Sequence, residues 1–214
     1  MRAMPRPRAW LTGLAVLLAL PFALASAWQG IDGLDLRQTD PTRFLHASDA
    51  PASRALFVHM IAGAAITVLA LLQPVAAIRS RWPRAHRVSG RIVGTGALIT
   101  AAGGLIYIAR QGTIGGPAMS AGFALYGLLL AMAAVQTVRF ARGRDIARHR
   151  RWGLRLMWLA IASWLYRVQY GLWYAATGGA GSTPAFDGPF DHFMFIGFYL
   201  PQLIALEVFL RRRA

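Results

Sequence analysis

The chain has 214 residues, 56% of them hydrophobic and 14% charged, a balance that excludes an ordinary soluble domain and points to a single membrane domain. All 23 basic side chains are Arg; without Lys there is no Schiff-base chemistry and no P-loop lysine, and without Cys there is no disulfide, iron–sulfur cluster, thiolate nucleophile or CxxCH haem attachment. The formal charge of +15 is large enough to suggest nucleic-acid binding, but the placement of the Arg residues argues against that partner.

A helix needs about 20 apolar residues to cross the hydrocarbon core, and six stretches qualify, so the expected fold is all-α, a polytopic transmembrane bundle. A basic leader, 1–9, precedes the first span at 10–27. That leader, Pro21 and the sequence Ala25-Ser26-Ala27 also fit a signal peptide, whose cleavage would leave five helices. Retention is the expectation, because the apolar run is long for a signal h-region. A polar segment from Trp28 to Arg54, carrying His46, leads to the second span at 55–78, with His59 near its start. An Arg-rich loop containing His86 then opens the third span, 92–109, and a Gly-rich loop the fourth, 121–138. A second Arg-rich loop, with His149, precedes the fifth span, 153–176, which contains Arg167. His192 opens the sixth, 192–210, and 211–214 form a basic tail.

The loops alternate in charge. Eighteen Arg and the lone Asp145 fall on one side, whereas Arg37, Arg43, Arg54 and Arg110 share the other with six Asp. By the positive-inside rule the Arg-rich side is cytoplasmic, both termini included, in a bacterial inner membrane. The +15 is thus a topology signal, and the expected partners are the bilayer and anionic lipid headgroups at the Arg-rich loops, with a redox or subunit partner and no nucleic acid.

Four histidines lie in or beside the spans. His59 and His192 belong to the outer half, His86 and His149 to the inner interface. Glycine follows three of them four residues later, at Gly63, Gly90 and Gly153, so each imidazole would stand beside a gap on its own helix face. His86, Gly90, Gly94, Ala97, Ala101 and Gly104 form one stripe of small residues. Such a stripe either lets helices pack closely or leaves room for a flat ligand such as a porphyrin, with imidazole on the metal. Shifting the chain by 63 residues also aligns Gln73 with Gln136, His86 with His149, Arg87 with Arg150 and Gly90 with Gly153. Spans two and three then repeat as spans four and five in the same orientation, with His86 and His149 in equivalent positions.

Arg167 is a charge near mid-bilayer, which by default marks a functional site. Ser163, Tyr170 and Tyr174 share its face at helical spacing, so the strip is expected to point into the bundle, leaving Trp158, Leu165 and Leu172 nearer lipid. Glu207 matches Arg155 in depth better than it matches Arg167, so Asp191, a water-filled cavity or a bound anion are the candidate partners of Arg167.

The string Arg84-Ala85-His86-Arg87-Val88-Ser89-Gly90-Arg91, then His149-Arg150-Arg151-Trp152, a His early in the second span and an Arg within the fifth resemble the bacterial predicted membrane proteins grouped as domain of unknown function 2306. The resemblance covers roughly Ala55 to Arg167, departs at Gly153 where Met is usual, and implies a multi-pass membrane fold without an established activity.

Three functions compete. In the first, b-type haem is ligated by His86 and His149 near the inner face and by His59 and His192 near the outer face, for electron transfer across the membrane. In the second, Arg167 with Tyr170 and Tyr174 binds or transports an anionic or amphiphilic ligand. In the third, the chain is an accessory subunit whose Arg loops contact lipid. Hydrolase chemistry has no motif to support it.

Overall fold

The computed structural model describes residues 9–34 and 49–212; Arg2, Arg6, Arg8, Arg37, Arg43, His46 and Arg213 lie outside the described residues. Within them the backbone forms eight helices: α1 (Ala9–Leu34), α2 (Ala50–Leu72), α3 (Ala76–Arg81), α4 (Pro83–Gln111), α5 (Gly116–Arg142), α6 (Ile146–Thr177), α7 (Pro189–Gly197) and α8 (Leu200–Arg211). Five passes, namely α1, α2, α4, α5 and the combined α7–α8, are long and apolar enough to cross a membrane. The sixth is α6, whose apolarity is lowered by Arg167, Gln169 and its Tyr residues. Its 32 residues still span about 48 Å at 1.5 Å per residue. It runs antiparallel along α5 over that length: His149 meets Thr137, Tyr126 donates to the Leu159 carbonyl at 2.7 Å, and Tyr166 stacks edge-on against Phe123.

Helical hydrogen bonding satisfies the backbone in a solvent without water, so most helices continue past the apolar runs into the interfaces. Proline marks the two places where the spans depart from expectation. α2 ends at Leu72 instead of continuing to 78, because Pro74 lacks an N–H and disfavours helix in the residue before it. The carbonyl this leaves at Pro74 accepts from Arg79 Nη1 at 2.6 Å. Similarly, the sixth pass is broken between Gly197 and Leu200, since Pro201 has no N–H for the carbonyl four residues earlier.

Helices α2, α4, α5 and α6 form a ring, each packed on the next. Its core is rich in small residues, with Ala70, Ala97, Ala133, Ala134 and Ala160 buried around Ile66, Leu130 and Leu159, the composition that lets membrane helices approach closely. The two hairpins of the 63-residue repeat, α2–α4 and α5–α6, make up this ring, so α4 and α6 occupy opposite corners and run in the same direction. Outside it, α1 lies on α2, where a Cβ on Gly30 would meet the Phe57 carbonyl at 2.8 Å, and α7–α8 pack on α5 and α6.

The position of α1 corrects one expectation. Leu172 is 65% exposed, as its lipid-facing assignment requires. Trp158 and Leu165, however, pack with Ala15, Val16 and Ala19 of α1. An apolar side chain has the same sequence signature against lipid as against a neighbouring helix.

Candidate functional site

At the Arg-rich end the repeat brings His86 and His149 into equivalent positions in the first turns of α4 and α6. His149 Nδ1 lies 3.0 Å from the Thr137 carbonyl of α5. A carbonyl only accepts, so this bond puts the proton on Nδ1 and leaves Nε2 with a free lone pair. The Nδ1 of His86 is buried without a hydrogen-bond partner among the described residues. Beside it, Gln73 Nε2 donates to Ser89 Oγ at 2.9 Å. In the second half of the repeat the position of Ser89 is taken by Trp152, and the Oε1 of Gln136 is left buried and unpartnered.

The glycine gaps have different fates. A Cβ on Gly90 would come within 3.3 Å of Gln73 Oε1, one on Gly94 within 3.1 Å of Val138, and one on Gly104 within 3.0 Å of His59 Nδ1. Side chains of the neighbouring segments thus fill the small stripe of α4. The gap beside His149 is looser, with Thr137 Cγ2 at 3.9 Å from a Cβ on Gly153.

His59 lies flat against Gly104 and its Nδ1 is 2.6 Å from the Thr100 carbonyl, so it too presents Nε2 as a lone pair. His192 is exposed on α7, its ring edge-on to Phe195 at 5.2 Å. The structure does not bring these two together, since His59 faces α4 whereas α7 packs on α5 and α8. Among the described residues no group of three or more His, Asp or Glu side chains could hold a metal ion.

In the middle of α6, Arg167 Nη1 donates to the Ser163 carbonyl at 3.0 Å and to Ser163 Oγ at 3.2 Å. Its guanidinium sits 4.6 Å over the ring of Phe22 on α1, and its charge reaches His59 of α2 and Tyr126 of α5. Arg167 is exposed and Tyr174 is 48% exposed, so the strip does not point into the bundle as expected: Arg167 lies on the flank of α6 beside α1, where its carbonyl and ring partners are on its own helix and on Phe22. Tyr170 and Tyr174 turn away toward the following loop, donating to Asp191 at 2.7 Å and to Ser182 at 3.2 Å.

Carboxylates account for most of the remaining polar structure. Glu207 holds Arg155 at 2.6 Å, the pairing their common depth predicts. Asp191, completely buried, accepts from Tyr170, from Ser182 Oγ and from the backbone N–H groups of Thr183 and Gly188. It is fully engaged and does not pair with Arg167. Asp49 caps α2 through the Ala52 N–H and binds Arg110 and Gln111 at the end of α4. Arg110 holds the Asp49 carboxyl below its usual range, at about 2. The signal for the Asp49 cap was local, an Asp three residues before its N–H donor, whereas for Asp191 only the bond to the Gly188 N–H had one, an Asp in the first turn after Gly188-Pro189.

No match is found among curated proteins or among solved structures. The family model described as predicted membrane protein DUF2306 matches residues 56–185, which includes the whole four-helix ring apart from the first six residues of α2, together with His59, His86, His149 and Arg167. The chain therefore belongs to the domain of unknown function 2306 family of membrane proteins.

Proposed function

We propose that this membrane protein carries a b-type haem at its Arg-rich end, with His86 and His149 as axial ligands, and exchanges electrons there. The observation that carries this reading is the pair itself: two histidines made equivalent by the repeat, each in the first turn of its helix, at the same end of α4 and α6 on opposite corners of the ring. Their environment fits the group. A metal-ligating histidine commonly donates its other ring N–H to a backbone carbonyl, which fixes the tautomer and raises the basicity of the ligating nitrogen. His149 has that arrangement with Thr137, and His86 brings a buried ring nitrogen with no protein partner. Arg79, Arg87, Arg150 and Arg151 stand nearby in sequence and are suited to haem propionates. Bound haem would supply one-electron chemistry at its iron; the protein's part is to orient the imidazoles and neutralise the carboxylates. An outer haem on His59 and His192 is not part of this reading, because those residues are apart.

Positive-inside orientation puts this end in the cytoplasm of a bacterial inner membrane. Reporter fusions after Arg87, Arg148 and Arg213 should report cytoplasm, and fusions near Thr113 and Ser182 the outside; one inverted loop would contradict the orientation. For the haem itself, the test is the absorption spectrum of protein purified from haem-sufficient cells, before and after dithionite. A low-spin spectrum that sharpens on reduction and is lost in both His86→Ala and His149→Ala is expected. Absence of a Soret band would overturn the proposal.

A further inference from the structure

Helix α6 carries two arginines in the bundle, and they have been given different surroundings. Arg155 has Glu207 at 2.6 Å and lies over Trp152. Arg167 has no carboxylate within ion-pair reach among the described residues, and Asp191 is occupied by four donors. Only Nη1 of Arg167 is used, on Ser163 of its own helix, so Nε and Nη2 have no acceptor among the described residues. The guanidinium sits 4.6 Å over the ring of Phe22 on α1, which leaves its Nε/Nη2 edge directed away from Ser163.

A guanidinium in a membrane interior is costly unless it is paired or hydrated, and its unused Nε/Nη2 edge matches the two oxygens of a carboxylate in a fork geometry. A single cation suits a monoanion better than a phosphate dianion. The walls indicate what the anion is attached to. Helix α1 meets α6 around Ala19–Ile161 and at Phe22–Arg167, then leans onto α2 at Gly30. Toward the outer end α6 exposes Val168 and Leu172, an apolar surface within about two turns of Arg167 that faces the acyl chains.

We propose that Arg167 anchors a binding site for a carboxylate on an apolar tail, with the head group on Nε/Nη2 over Phe22 and the tail along Val168 and Leu172. The site is separate from His86 and His149 and does not depend on haem. It can be tested by isothermal titration of the full chain in maltoside micelles with decanoate, decanol and acetate. Decanoate should bind saturably at one site per chain, with decanol and acetate at least about tenfold weaker, since each lacks one half of the recognition. Arg167→Leu should abolish saturable binding while keeping the helical signal, and Arg167→Lys, a point charge without the fork, should weaken it. Phe22→Ala leaves the charge in place and should also weaken binding, which keeps the test open if the Leu variant fails to fold. Equal binding of decanoate and decanol would mean partition of the tail alone. Equal binding of acetate would mean a small-anion site. Either result, or decanoate binding unchanged in both Arg167→Lys and Phe22→Ala, would overturn the proposal.

Discussion

The two ends of the bundle use their polar residues differently. At the acid-containing end, Asp49 ties the start of α2 to the end of α4, and Asp191 gathers α6, the loop after it and α7 through four hydrogen bonds. At the Arg-rich end Glu207 and Asp145 are the only carboxylates among the described residues, bound to Arg155, Arg211 and Arg148, while ring and amide atoms of His86 and Gln136 stay buried and unpartnered. One end spends its polar groups on closing the fold. Buried atoms without a partner also occur on the outer half of α6, at Tyr166 and Gln169, and each calls for an explanation in a folded protein; what sets the Arg-rich end apart is its scarcity of carboxylates and its pair of equivalent histidines.

The largest effect should follow from Asp191→Ala, which strands a Tyr hydroxyl, a Ser hydroxyl and two backbone N–H groups in a buried place. At about 1–3 kcal/mol for each buried group left unmade, partly relieved by water, a loss on the order of 3 kcal/mol or more is expected. A melting curve in detergent reads it, and a shift of under a few degrees would mean that this end does not close the fold.

Next comes the ion pair of α6 and α8. Glu207→Gln leaves Arg155, whose side chain is 15% exposed, without its carboxylate, and should cost roughly 1–3 kcal/mol. The double change Arg155→Leu with Glu207→Leu removes both charges and should recover most of that loss. If the double variant is no more stable than the single one, the pair is not the source of the effect.

Smaller again is the Asp49 clamp, and its signature is pH. Its carboxyl titrates at about 2 in the fold and near 4 in an unfolded chain. The folded value is the lower, so the clamp contributes fully above about pH 4 and its contribution is lost as pH falls toward 2. Asp49→Asn should therefore be less stable than the parent at neutral pH and converge with it in acid. A constant gap across that range would assign the clamp to hydrogen bonding without charge.

Much of the architecture was legible because the bilayer leaves so few options: apolar runs of sufficient length gave six passes, and depth alone paired Glu207 with Arg155. The equivalence of His86 and His149 was also readable, from the 63-residue repeat. Other features needed three dimensions. The packing of Trp158 and Leu165 on α1 could not be separated from lipid exposure, since both are apolar environments. The breaks at Pro74 and Pro201 had a sequence signal that span length alone overrides. Asp191 is a hub because loop residues 182–188 fold back on it, an arrangement no periodicity encodes. The small stripe of α4 was open to either close packing or a flat ligand, and it is filled by Gln73, Val138 and His59, because an empty-looking helix face says nothing about which neighbour covers it.

The binding role proposed for the Arg-rich end is tested most directly by counting haem. Pyridine haemochrome assay of protein from haem-sufficient cells should give one haem per chain, lost in His86→Ala and in His149→Ala and retained in His59→Ala and His192→Ala. Zero haem, or one haem that survives loss of His149 and disappears with His59, would contradict the account.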